Sequence, residues 1–121
     1  MRSRIALAAA VVATASLGVA CGHRPTPELS RQANAAVTRF EGDVEATVSL
    51  DDRIGPTYGD LLHSADAVIE LARTSPDALY RPPAGGSRET MRQVLSAAAL
   101  RLASYEPALA ARLVRVLDEL S

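Results

Sequence analysis

Several residue types are scarce in this chain of 121 residues. It has one cysteine, Cys21, no tryptophan, and four aromatic residues, Phe40, Tyr58, Tyr80 and Tyr105. A single cysteine excludes a disulfide within the chain and any metal site built from several thiolates. Because sheets favour aromatic and β-branched residues, an alanine-rich chain with few aromatics is better suited to closely packed helices.

Lysine is absent, so arginine supplies every fixed positive charge of the side chains. Beyond residue 20 the chain has 11 arginines against 14 aspartates and glutamates, a net charge of −3. Nucleic-acid-binding domains carry the opposite balance, with a basic surface that neutralises phosphates. The composition therefore predicts that nucleic acid is not a partner.

The amino-terminal segment has the pattern of a secretion signal. Residues 1–4 are basic, residues 5–17 are small or apolar without a charge, and small residues precede Cys21. A basic start, a short apolar stretch and small residues before a cleavage point are typical of a signal peptide. The apolar stretch is shorter than the ~20 residues that a spanning helix needs.

The segment Leu17-Gly18-Val19-Ala20-Cys21 resembles a lipobox, the motif of bacterial lipoprotein signal peptides. The resemblance covers residues 1–21 only, and Leu17 lies one place further from the cysteine than in the commonest form. It implies that residues 1–20 are removed and that the thiol of Cys21 carries a diacylglyceryl group. Two alternatives stay open: Cys21 is an ordinary cysteine beside a signal peptide cut elsewhere, or the segment stays uncleaved as an anchor.

The lipobox resemblance also implies a location. Two or more acyl chains attach a protein stably to a membrane, whereas one chain binds only marginally. We therefore expect the chain on the extracytoplasmic side of the cell membrane or outer membrane, anchored through Cys21. Residues 21–26 form the predicted tether, where Pro25 and the following Pro27 oppose helix, and residues 27–121 form the predicted folded domain.

Helical periodicity dominates residues 27–121. The predicted helices run from about Pro27 to Leu50 after a Thr26 cap, from the Thr57–Asp60 capping box to about Arg73, and from about Arg88 after a Ser87 cap to Ala103; a last helix follows the break that Pro107 predicts and ends at Leu120. A short helical turn is predicted over Ser75–Tyr80, a loop over 81–86, and a corner near Ser104–Glu106.

Each predicted helix has one apolar stripe that needs a partner surface. The predicted buried residues are Leu29, Ala33, Ala36, Val37, Phe40, Val44, Thr47 and Val48; Tyr58, Leu61, Leu62, Ala65, Val68, Ile69 and Ala72; Met91, Val94, Leu95, Ala98 and Leu102; and Leu109, Leu113, Val116, Leu117 and Leu120. The simplest arrangement that covers four such stripes is a small up-and-down bundle. The sequence therefore predicts an all-α domain of about four helices.

Charge is distributed unevenly along the predicted domain. Residues 41–77 hold nine acids and two arginines, a net of −7, whereas residues 81–115 hold six arginines and two glutamates, a net of +4. Two interpretations are open. The two halves complement each other within one bundle, or the acidic half faces a basic partner or a cation.

The predicted second helix carries a candidate cation site. Asp60, His63, Asp66 and Glu70 are spaced by three, three and four residues, so they share one polar face. Imidazole and carboxylate groups are metal ligands, but one helix rarely supplies enough converging donors, and the paired Glu-x-x-His motifs of di-iron bundles are absent. A solvated face is the simpler interpretation, and we assign no metal ligand or cofactor.

Residues for catalysis are few. His23 lies in the predicted tether and His63 on a helix surface, and neither a nucleophile elbow nor a phosphate-binding loop is present. We expect no enzyme activity and name no catalytic residue. Leu100 and Val114 point away from the predicted stripes and together provide a possible docking surface. The leading hypothesis is a lipid-anchored module that binds an envelope protein; the alternative is a small-ligand or cation-binding envelope protein.

Overall fold

Four helices dominate the part of the chain that the computed structural model describes, residues 27–49 and 57–121. The elements are α1 (Arg31–Val48), α2 (Tyr58–Thr74), strand β1 (Leu79–Tyr80), strand β2 (Glu89–Thr90), α3 (Met91–Leu102) and α4 (Pro107–Leu120). The predicted all-α bundle of about four helices is therefore confirmed, with one small sheet added.

The first helix begins later than the sequence predicted. The side chain of Ser30 accepts a hydrogen bond from the backbone N–H of Ala33 (3.1 Å), which makes Ser30 the cap in place of Thr26. The residues before Ser30 pair with β1 instead: Leu79 N donates to Pro27 O (2.8 Å), and Leu29 N donates to Leu79 O (3.0 Å). These long-range bonds satisfy backbone groups that a helix would otherwise pair locally.

The second helix follows the prediction closely. Thr57 and Asp60 form the predicted capping box: Asp60 N donates to Thr57 Oγ1 (3.0 Å), and Thr57 N donates to Asp60 Oδ2 (3.4 Å). The helical turn predicted over Ser75–Tyr80 is wrong, because the chain turns at residues 76–77 and then enters β1. This strand pairs antiparallel with β2, with Leu79 opposite Thr90 and Tyr80 opposite Glu89.

The third helix also begins later than predicted. Its cap is Thr90, which forms a capping box with Gln93, whereas Ser87 lies in the loop before β2. The predicted corner near Ser104–Glu106 is confirmed: Glu106 N donates to Leu102 O (2.7 Å), and α4 starts at Pro107. Proline fits a first helical position because the N–H it lacks has no partner there.

The core contains most of the predicted apolar stripes. Its buried residues are Val37, Phe40, Val44, Leu61, Ala65, Val68, Ile69, Ala72, Ala78, Tyr80, Met91, Val94, Leu95, Ala98, Ala99, Leu102, Leu109, Ala110, Leu113 and Val116. The prediction that Tyr58 is buried is wrong, since 46 % of it is exposed. Tyr80, which was not predicted in the core, is 1 % exposed and ranks first by volume among the fully buried side chains.

The small sheet lies at one end of the bundle. The start of α1, the end of α2 and the start of α3 lie beside β1 and β2, and Arg92 of α3 donates to the carbonyl of Leu120 at the end of α4. Successive helices therefore run in opposite directions. We call this the hairpin end; the opposite, distal end holds the turn between α3 and α4.

Candidate functional site

The predicted lipidation residue, Cys21, and the tether residue His23 lie outside the described residues. Pro27, six residues after Cys21, is paired with β1 at the hairpin end. Cys21 therefore stays a prediction from the sequence. The structure provides the position at which the predicted tether meets the folded domain.

Two of the acidic residues on α2 take part in protein contacts, and the four residues of the candidate cation site do not form a metal site. Asp60 belongs to the capping box at the start of α2, and Asp66 forms an ion pair with Arg112 of α4. His63 and Glu70 are exposed on the same helix. Across residues 27–49 and 57–121, no group of three or more metal-ligating side chains lies close enough to hold an ion.

Ion pairs join the acidic and basic parts of the sequence within the bundle. Arg101 of α3 pairs with Glu45 of α1, and Arg112 pairs with Asp66. Arg92 of α3 also pairs with Asp77 in the turn before β1, at 3.0 Å. These contacts support the interpretation that the two oppositely charged parts of the chain complement each other in one domain.

An apolar groove runs between α3 and α4 on the outside of the bundle. It has a volume of about 440 Å³ and is lined by Ser96, Ala99, Leu100, Ala103, Pro107, Ala110, Ala111, Val114 and Leu117. Leu100 is 79 % exposed and Val114 47 % exposed, as the sequence predicted for both. We call these lining residues the α3–α4 groove.

Alanines shape the α3–α4 groove. Ala99 and Ala110 are almost fully buried, whereas Leu100 and Val114 are exposed, so short alanine side chains lie at the base of the groove. Leu100 stands beside this depression on α3 and Val114 on α4. The sequence indicated the two exposed apolar residues, but not the alanine floor, because the packing partner of each alanine is not visible in a helical stripe.

A second concave surface lies at the hairpin end. This cleft has a volume of about 490 Å³, and its lining includes Glu28, Arg31, Asn34, Arg81 and Pro83. Arg81 N donates to Asn34 Oδ1 (2.8 Å), and Asn34 Nδ2 donates to Arg81 O (2.9 Å), which fixes the loop after β1 against α1. Sequence reasoning missed this contact, which joins residues 47 positions apart.

Glu28 connects the loop between the strands to the start of the described chain. Its Oε1 lies 3.1 Å from Arg81 Nη2 and its Oε2 lies 3.1 Å from Arg88 Nη1. The two arginine side chains remain 61 % and 47 % exposed, and Arg31 is exposed nearby on α1. We call the surface formed by Glu28, Arg31 and residues 81–88 the hairpin face; it has three arginines and one carboxylate.

Tyr80 forms a partly buried polar contact beside the core. Its hydroxyl lies 3.1 Å from the Thr38 hydroxyl, and Thr38 also donates to Asn34 O (3.0 Å). Burial raises the pKa of Glu41 above its ordinary value and the nearby Glu89 raises it further, while the neighbouring Tyr80 hydroxyl and the charge of Arg101 oppose the rise. Burial likewise raises the pKa of Tyr80.

Comparison of the chain with protein-family models, with curated proteins and with solved structures gives no match. Within the described ranges, no helix is both long enough and apolar enough to cross a bilayer. The features of the chain that bear on function are the sequence of residues 1–21, the α3–α4 groove and the hairpin face.

Proposed function

We propose that the protein is a lipid-anchored component of the bacterial cell envelope that binds another envelope protein through the α3–α4 groove and has no catalytic site of its own. The observation that carries the interaction role is the groove itself, with Leu100 exposed beside a floor of alanines. The support for the anchor is the lipobox-like segment that ends at Cys21.

The α3–α4 groove suits a helix. A single exposed leucine is ordinary on a protein surface, but here Leu100, Val114 and the intervening alanines form one continuous apolar depression. Helices pack at interaxial distances of 8–10 Å, and small side chains on one partner allow the closer values. The partner we propose is an amphipathic helix that inserts bulky apolar side chains, spaced by three and four residues, between α3 and α4.

The groove can be tested in intact cells. A photo-crosslinking amino acid is placed at Leu100, and at exposed Ala67 on α2 as a matched control. We expect Leu100, but not Ala67, to give a discrete adduct with one envelope protein. Val114→Glu should remove that adduct, because it places a charge in the groove, and Ala67→Glu should leave it unchanged.

Several results would overturn the groove assignment. Equal adducts from Leu100 and Ala67 indicate random encounter, and an adduct that Val114→Glu leaves intact does not come from the groove. An adduct between two copies of the chain makes the groove a self-association surface. Both variants should keep the wild-type Tm within a few degrees, since surface substitutions usually change stability by at most ~0.5 kcal/mol.

The anchor has its own test. Mass spectrometry of the protein from the membrane fraction should show loss of residues 1–20 and added acyl mass on Cys21. Cys21→Ser should leave the precursor uncleaved or release the protein from membranes. An unmodified Cys21 in the processed protein would contradict the lipid anchor and leave the groove assignment standing.

A further inference from the structure

The path of the chain determines which surface lies beside the proposed anchor. Pro27 is bonded to Leu79 of β1, so the chain enters the folded domain at the hairpin end. Six residue steps separate Cys21 from Pro27, which spans at most about 20 Å when fully extended. A domain of this length has a diameter of roughly 30 Å. The tether is therefore shorter than the domain is wide.

A short tether restricts the orientation of the domain. With Cys21 held at a bilayer surface, Pro27 lies no further from the headgroups than the tether allows. The hairpin face begins beside Pro27, because Glu28 follows it directly and binds both Arg81 and Arg88. The distal end, with Ser104 in the turn between α3 and α4, is separated from this face by the full length of α3. The hairpin face is the described surface nearest to the membrane.

The charge of the hairpin face matches that of an anionic membrane. Arg31, Arg81 and Arg88 contribute three positive charges against the one carboxylate of Glu28, and residues 82–87 between the two loop arginines carry no acid. Guanidinium groups bind phosphate oxygens in a planar, bidentate geometry. Since Arg81 and Arg88 stay about half exposed while bound to Glu28, each keeps N–H groups available for a headgroup.

The remaining carboxylates at the hairpin end lie outside the hairpin face. Asp77 is paired with Arg92 and Glu119 with Arg73, whereas Glu89 on β2 is half-buried and Asp118 near the end of α4 is exposed. At the distal end the exposed or half-exposed carboxylates include Asp60 and Glu106. An anionic surface therefore attracts the hairpin face and repels the acids at the other end.

We infer that the hairpin face binds anionic phospholipid headgroups and holds the bundle with its hairpin end on the membrane. The inference rests on the proposed anchor, because the tether is what brings this face within reach of lipid. In this orientation the α3–α4 groove lies along the side of the bundle, where another envelope protein can reach it. Lipid and protein partner thus occupy separate surfaces.

The test measures how close two points of the full chain lie to lipid headgroups. An encoded fluorescent amino acid replaces Ala84 in the loop of the hairpin face or Ser104 at the distal end. The protein is purified from membranes and reconstituted into vesicles that contain a headgroup-nitroxide lipid as quencher. The vesicles consist of phosphatidylcholine alone, or of phosphatidylcholine mixed with phosphatidylglycerol.

We expect the probe at Ala84 to be quenched several-fold more than the probe at Ser104 in the phosphatidylglycerol vesicles. The difference should shrink in phosphatidylcholine alone and at high salt, because salt screens exposed charges. Arg31→Gln and the pair Arg81→Gln with Arg88→Gln should each reduce it. Arg115→Gln, on the exposed side of α4, is the matched control and should leave it unchanged.

Equal quenching at both points, or stronger quenching at Ser104, would overturn the inference. Quenching at Ala84 that is the same with and without phosphatidylglycerol would also overturn it, since the arginines would then play no part. Arg31→Gln breaks neither ion pair of Glu28, so it remains informative if the double variant unfolds. Mass spectrometry of the same sample reports whether Cys21 is acylated. The anchor proposal and the orientation proposal are therefore tested by separate measurements.

Discussion

Tyr80 has two different environments. Its ring belongs to the core, and its hydroxyl reaches the Thr38 hydroxyl and the half-buried side of α1 near Glu41. Buried tyrosines usually find a partner for the hydroxyl, because an unpaired polar group in the interior costs free energy. In a chain with so few aromatics, one residue thus combines the packing of β1 with a polar contact to α1.

The hydroxyl of Tyr80 can be removed without changing the packing of its ring. We expect Tyr80→Phe to lower the free energy of unfolding by about 1 kcal/mol, the usual net value of one hydrogen bond. Thr38 keeps its bond to Asn34 O, so it is not left without a partner. Urea denaturation measures the change, with Tyr58→Phe, at an exposed position, as the control that should have no effect. An unchanged midpoint in Tyr80→Phe would contradict the expected contribution.

Glu41 should destabilise the fold at neutral pH. Burial and the nearby Glu89 raise its pKa in the folded protein, so folding favours the protonated carboxyl. The protonated carboxyl therefore contributes to stability below the ordinary glutamate pKa of about 4.3. This contribution is lost as the pH rises through the higher pKa of the folded state. We expect Glu41→Gln to raise Tm at neutral pH, with a gain that shrinks toward pH 4.

Thermal melts at several pH values measure this gain. Glu70→Gln, at an exposed position on α2, is the matched control, and it should not reproduce the pH-dependent difference. A gain of equal size at acid and neutral pH, or a loss at neutral pH, would show that the carboxyl of Glu41 is not the cause.

At the scale of the elements, α3 has two candidate N-cap residues, Ser87 from the sequence and Thr90 from the structure. Thr90 accepts from Gln93 N (3.1 Å), and Gln93 Oε1 accepts from Thr90 N (2.8 Å), whereas Ser87 lies in the exposed loop. Thr90→Ala should lower the free energy of unfolding by about 1 kcal/mol, the typical value of a lost cap. Ser87→Ala should change it by less than ~0.5 kcal/mol. Denaturant unfolding of both variants measures these changes, and an equal loss of unfolding free energy in the two would contradict the cap assignment.

The elements also show which local signals were sufficient for prediction. The number of helices, the cap at Thr57 and the corner before Pro107 follow from patterns within a few residues. The sequence predicts starts of α1 and α3 that are too early, because the residues before them have helix-compatible sequences. Glu28, before α1, instead bridges to Leu79, and the residues before α3 pair with β1 across the loop of residues 81–88.

The two surfaces differ in how far the sequence predicted them. Leu100 and Val114 were identified as exposed, because each breaks the apolar stripe of its own helix. The hairpin face was not, since it depends on contacts such as Asn34 with Arg81 and Glu28 with Arg88. Nothing near Asn34 or Glu28 in sequence marks them as partners of a loop that lies about fifty residues later.

At the scale of the whole molecule, apolar packing should contribute far more stability than the ion pairs between helices. Leu113 is fully buried on α4, and Arg112 beside it pairs with Asp66 at the surface. Leu113→Ala should cost about 2–5 kcal/mol, as large-to-small changes in a core do. Arg112→Gln should cost less than ~1 kcal/mol, because exposed ion pairs contribute little. Calorimetry of the two variants measures both, and similar losses would contradict this division.

The pairing of Pro27 and Leu29 with β1 has a mechanical consequence. Tension applied to the chain ahead of Pro27 does not pull directly on the first turn of α1. It loads first the two backbone hydrogen bonds to Leu79, and β1 passes the load to β2 and to the ring of Tyr80 in the core. When a force acts on the domain through its amino-terminal end, β1 and the core therefore bear the load before the first turn of α1 does.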